Sequence, residues 1–186
     1  IINGVGGVTT LSGESTYTGG TTVNSGTLKA GISSSGSVTN SPFGTSTVIV
    51  ASGATLDLNG KTVANTLNLS GTGDSSNGAL YNSSSSAATA SGAITLAADT
   101  TIKNLGNLTL SNTINGAYGL TLTTISTGTV TLSSTLGAST NLASLTTNAS
   151  SGSAGITISG GSIITTGAIN FGNPITLSTA TTTTFN

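Results

Sequence analysis

Four carboxylates and three amines make up the charged side chains of this 186-residue sequence: Glu14, Asp57, Asp74 and Asp99 against Lys29, Lys61 and Lys103. Hydrolysis of a glycosidic bond needs two acids facing one bond, one to protonate the leaving oxygen and one to act as base or nucleophile. Polysaccharide lyases add Arg or Lys. Here the acids are scattered and Arg is absent, so neither arrangement is expected. With no His and no Cys, nucleophilic triads and the usual transition-metal sites are excluded. Calcium loops of the Gly-Gly-x-Gly-x-Asp type need a recurring Asp, and none recurs. Asp74, beside Gly73, Ser75 and Asn77, could hold one weakly bound cation or brace a turn. Gly71-Thr72-Gly73 is no phosphate loop, because no helical pattern follows it. The reading therefore names no catalytic, cofactor-binding or metal-ligating residue and no cofactor; the chain is expected not to be an enzyme.

The same inventory bounds the partners. Net charge is −1, with 4% charged residues, and nucleic-acid binding needs clustered Lys or Arg. No apolar run approaches the roughly eighteen residues of a membrane span. The lysines read as solubilising groups that discourage edge pairing. Asn-x-Ser/Thr occurs at Asn68, Asn82, Asn107 and Asn148, as a Ser/Thr-rich chain produces by chance. The chain opens on Ile rather than Met and shows no signal peptide, and is expected to be a mature product or a piece of a longer one.

The elements that would position these residues are strands. Ser, Thr, Gly and Asn dominate, with Val, Ile, Leu and Ala supplying most of the 34% hydrophobic content. No helical period appears. Runs of four to six residues alternate in polarity and are broken by Gly, Asn or Ser: TVIV (47–50), ATLDL (54–58), AITL (93–96), TTIK (100–103), NLTL (107–110), GLTLTT (119–124), TVTL (129–132), LASLTT (142–147), GITIS (155–159), SIITT (162–166), AINF (168–171) and PITLS (174–178). Two all-β architectures fit. Asn-Gly pairs at 3–4, 59–60, 77–78 and 115–116 could close hairpins of an antiparallel β-sandwich. Alternatively each strand leads onward round a right-handed parallel β-helix, a β-solenoid. The solenoid is preferred: only 3% of residues are aromatic, too few for a sandwich core, whereas stacked aliphatics fill a narrow coil. At roughly twenty residues per coil and about 4.8 Å between coils, about nine coils make a rod about 45 Å long.

Two stretches carry a resemblance. Leu11 to Gly31 (LSGESTYTGGTTVNSGTLKAG) and Gly44 to Gly60 (GTSTVIVASGATLDLNG) resemble the passenger-associated transport repeat, or autotransporter-associated β-strand repeat, of bacterial autotransporters and giant adhesins. The resemblance implies a β-solenoid, a bacterial cell-surface or extracellular location, and a structural role as fibre, stalk or adhesin segment. It covers the passenger part; the export barrel of that family has no counterpart here, and a filament or sheath subunit is equally compatible. Tyr17 holds a fixed place in the repeat, either stacking on a ligand or packing at a coil corner.

The whole of 1–186 is read as one solenoid segment, with repeats at 8–70, a loop-rich excursion at 71–92 and further coils at 93–186. Leu56, Leu58, Leu67, Leu69, Leu108, Leu110, Leu120, Leu122, Val130 and Leu132 should point inward in stacks, with Asp57 outside. Ser83–Ser86 is the candidate protruding loop, dispensable for stability. The uncharged ends (1–13 and 175–186) are expected to meet further solenoid, in the same chain or another copy, and the surface could contact a host, substratum or neighbouring cell. The alternative function is surface or ice binding through Thr-rich faces, with Thr121-Leu122-Thr123, Thr129-Val130-Thr131 and the run Thr181 to Thr184 as candidates.

Overall fold

The computed structural model describes residues 1–35, 38–150 and 155–178. The chain is a β-solenoid of about eight turns. The first turn is β1 (Ile2–Leu11) and the second β2 (Thr21–Ala30). The third holds β3 (Val48–Val50), β4 (Ala54–Asp57) and β5 (Thr62–Val63), and the fourth β6 (Leu67–Gly71), β7 (Leu80–Asn82) and β8 (Ala88–Ala90). The fifth is β9 (Ile94–Asn104) and β10 (Leu108–Leu110). The sixth is β11 (Ile114–Asn115), β12 (Gly119–Thr124) and β13 (Val130–Leu132). Then come β14 (Ser144–Ala149) with β15 (Ile156–Ile158), and β16 (Ile169–Phe171) with β17 (Ile175–Leu177).

Every pairing between these strands is parallel, so the sandwich alternative is discarded. None of the Asn-Gly pairs closes a hairpin: Asn3-Gly4 lies within β1, and the other three stand between strands or at a strand end. Asn59 (φ 52°) and Gly60 (φ 70°) turn the chain from β4 into β5 of another sheet, not back along the same one. The count falls below nine because several turns exceed twenty residues. Leu67 pairs with Ile94 and Leu136 with Ile163, and the surplus goes into corners.

The strands line three faces. Long β2 and β9 span the first two: Thr21–Val23 pairs with β3, whereas Gly26–Lys29 pairs with β4. The third face is a separate six-stranded sheet, β5, β8, β10, β13, β15 and β17. Alternation turns one row of each face inward. Leu28, Leu56, Leu80, Ile102 and Leu122 stack on the second face. Val63, Ala90, Leu110, Leu132 and Ile158 stack on the third. All ten expected core residues are buried. Each such side chain stabilises the fold by roughly 1.5–3 kcal/mol relative to exposure. Phe43, set by the sequence in a connection, is fully buried with them. Its loop is pinned by buried Asn65, which accepts from the Ser41 hydroxyl at 2.6 Å and donates to the carbonyls of Gly44 and Ser46 at 2.9 and 2.7 Å.

Three expectations change. SIITT (162–166) is not a strand; only Ile163 and Thr165 make bridges to neighbouring turns. The excursion expected over 71–92 shrinks, because β7 and β8 lie inside it, in register with β4 and β9 and with β5 and β10. What departs from the rod is 72–78, including the tight turn at Asp74–Ser76, where Ser75 and Ser76 take positive φ (51° and 61°), which folds down over the second face. Ser83–Ser86 is a bonded corner: Asn82, buried beneath it, accepts from the backbone N–H groups of Gly60 and Ser84 and donates to the carbonyls of Ser86 and Asn107.

Candidate functional site

The four acids land on separate sets of donors. Glu14 Oε2 accepts from Asn40 Nδ2 at 2.7 Å. Asp99 Oδ1 accepts from the Gly119 N–H at 2.8 Å. Asp74 braces its turn: its N–H donates to Thr55 Oγ1 at 2.8 Å, and its carboxylate accepts from the hydroxyls of Thr27 and Ser75, both at 3.4 Å. No two acids share a partner, and no group of three His, Cys, Asp or Glu residues forms among the described residues.

Asp57 overturns its sequence assignment. It does sit on the outward row of β4, but it is only 3% exposed. Three successive turns enclose it. Lys29, directly opposite on β2, places Nζ 3.3 Å from Oδ2. Ser83, at the end of β7, donates its hydroxyl to Oδ2 at 2.6 Å and its N–H to Oδ1 at 3.1 Å, and Asn59 N–H reaches Oδ1 at 2.9 Å. Lys29 also donates to Ser83 Oγ at 3.1 Å. The reason is the corner: the chain leaving β7 folds over the face that alternation leaves outward. Lys29 is thus a partner in a clamp, not a free solubilising charge. Tyr81, opposite Asp57 on the next strand, has its phenol pushed above 10.0, first by burial and then by the Asp57 charge. The carboxylate is saturated with donors, so the cluster is built to tie turns together.

Tyr17 takes the corner-packing option. Its ring lies against Gly44, where an added Cβ would meet it at 2.4 Å and where φ is +74°, so glycine is required. Its hydroxyl bonds Thr21 Oγ1 at 2.6 Å, while 44% of the residue stays exposed. Lys103 reaches the Ser76 carbonyl at 3.4 Å. A shallow recess at the corner between the second and third faces is lined by Ser85, Leu105, Gly106, Asn107, Ser126, Thr127 and Gly128, without a charged or aromatic group.

The threonine candidates separate. Thr121 and Thr123 stand on the second face, above Thr101 and Lys103. Thr131 stands on the third, and Thr181 to Thr184 lies outside the described residues. The third face holds a feature missed from the sequence. Its outward row is Thr62, Thr89, Thr109, Thr131, Thr157 and Thr176, each paired with the next. Two residues on, Ser91, Ser111, Ser133, Ser159 and Ser178 each donate a backbone N–H to the turn before. The signal was legible as Thr-x-Ser with aliphatic x, five times over. Corners of unequal length hid it by spacing the copies irregularly.

No family model matches the chain, and no curated protein and no solved structure is similar enough to it to carry an argument.

Proposed function

We propose that this chain is a structural segment of an extracellular bacterial surface fibre, stalk or adhesin, working as a rod without catalysis. The observation that carries the reading is β1. Among the described residues this ten-residue strand pairs with β2 alone, along one edge, and eight of its residues are exposed, Val5 at 89% and Val8 at 65%. An unpaired strand edge with apolar side chains is a template for a further strand. At the far end of the described stack, Phe171 and Leu177 are exposed as well. Each turn contacts its neighbours along one axis, so the rod lengthens by adding turns, in the same polypeptide or from a second copy, and a heterologous contact of this kind propagates instead of closing. The resemblance of Leu11–Gly31 and Gly44–Gly60 to autotransporter passenger repeats supports the extracellular, cell-surface setting.

The test uses residues 1–186 expressed alone. Sedimentation across a concentration series and electron microscopy should show end-to-end rods, and Val5→Lys with Val8→Lys should shorten them. A monomer at every concentration, with no rods, would sink the proposal.

A further inference from the structure

We infer that the third face is a binding surface for ice, taken up through its ladder of threonine hydroxyls. Six consecutive turns present Thr at the same outward position, with no exception from β5 to β17. The fold does not require this. The equivalent row of the second face runs Lys29, Asp57, Tyr81, Lys103, Thr123 and Asn148, and stacks equally well. β-Propensity would accept Val, Ile or Tyr in place of Thr.

Three properties select the occupant. The first is charge. The positions flanking the ladder are Gly60, Ala87, Asn107, Thr129, Gly155 and Pro174 on one side, and buried Ala64 followed by the five serines on the other. No charged and no aromatic side chain stands in any of the three rows, which fits a neutral partner and offers no stacking platform for a sugar ring. The second is availability. None of the six Thr hydroxyls makes a hydrogen bond within the described residues, whereas some threonines elsewhere are committed: Thr55 Oγ1 to the Gly78 carbonyl at 2.8 Å, Thr47 to Thr66 at 2.7 Å, Thr100 to the Ala98 carbonyl at 2.7 Å. The third is regularity. Pairing across the face runs without a register shift, and a side-chain ladder of this kind holds a sheet against twist. The hydroxyls therefore repeat at about 4.8 Å along the axis, and the Thr and Ser rows lie about 6.7 Å apart across it. Waters bonded to such a lattice are ordered at spacings comparable to those of a crystal face of ice. The entropic cost of immobilising each bridging water is then shared with the lattice it joins. The Thr methyl groups, alternating with the hydroxyls, exclude waters that do not fit.

The experiment measures thermal hysteresis, together with adsorption of fluorescently labelled protein to a single-crystal ice hemisphere. The wild type should separate melting from freezing and coat a defined ice plane. Thr109→Lys and Thr131→Lys should abolish both, while Thr123→Lys, on the second face, should leave both unchanged. Circular dichroism melts check that each variant folds. Should the lysine variants fail there, Thr131→Val keeps the shape, deletes one hydroxyl and should still reduce the hysteresis. Absence of hysteresis and of ice adsorption in the folded wild type overturns the inference. So does an equal loss in Thr123→Lys, or retention on microcrystalline cellulose or chitin, or self-association through this face, in place of an effect on ice.

Discussion

On the second face the outward residues of successive turns are Lys29, Asp57, Tyr81, Lys103, Thr123 and Asn148; on the third they are six threonines. Beneath both lies the same kind of core, aliphatic side chains in vertical register. The second face is covered and cross-linked: the 72–78 loop sits on Thr27 and Thr55, and the Ser83 corner closes over Asp57. The third is left open. Since the core alone suffices to stack turns, the outer rows are free to diverge. One face has spent that freedom on clamps between turns, the other on a uniform surface.

The largest test removes the clamp's cover. Deleting Ser83–Ser86 should cost roughly 3–6 kcal/mol in urea denaturation, because Asp57 loses two donors and the buried amide of Asn82 loses two of its four partners. An unchanged midpoint would make the corner a dispensable loop and erase the contrast between the faces. Next, Leu122→Ala beneath the second face and Leu110→Ala beneath the third should each cost about 2–5 kcal/mol. Similar losses would support the shared core; a loss confined to one face would show that the faces are stabilised differently. Asp57→Ala should cost about 1–3 kcal/mol by leaving the N–H groups of Asn59 and Ser83 without their acceptor, and equal stability of wild type and variant would show the clamp to be idle.

The smallest effect is on pH. The Tyr81 phenol is raised in the folded state, so the neutral form is favoured there. Its contribution is fully present below about pH 10 and is lost as pH climbs through the folded-state pKa. Stability followed from pH 9 to 12 should therefore fall less steeply in Tyr81→Phe than in the wild type. Parallel curves would remove Tyr81 from the cluster's electrostatics.

What could be read in advance follows from the period of a strand. Leu56 and Leu58, or Leu108 and Leu110, alternate with polar residues, and alternation assigns a side chain to a face whatever lies beyond it. It does not report exposure. Alternation puts Asp57 on the outward side of its strand, but its burial depends on Lys29 and Ser83, distant in sequence. Ser83–Ser86 looked unstructured for the same reason: four serines carry no periodic signal, and their order comes from Asn82 and Asp57. The Thr-x-Ser copies show no fixed period, because register between turns is set by strands while spacing in sequence is set by corners, and the corners differ in length.

Stacked parallel turns have a mechanical consequence. The backbone hydrogen bonds between turns point along the axis of the rod, at right angles to the strands. Tension applied to the two ends therefore loads the turns in series, each interface bearing the full force, and the weakest opens first without its neighbours. Each opened turn of roughly twenty residues releases on the order of 70 Å of chain. Such a rod yields at low force and lengthens stepwise. The interfaces that join Lys29, Asp57 and Ser83, tied by side chains as well as by backbone, are expected to be the last of these to part.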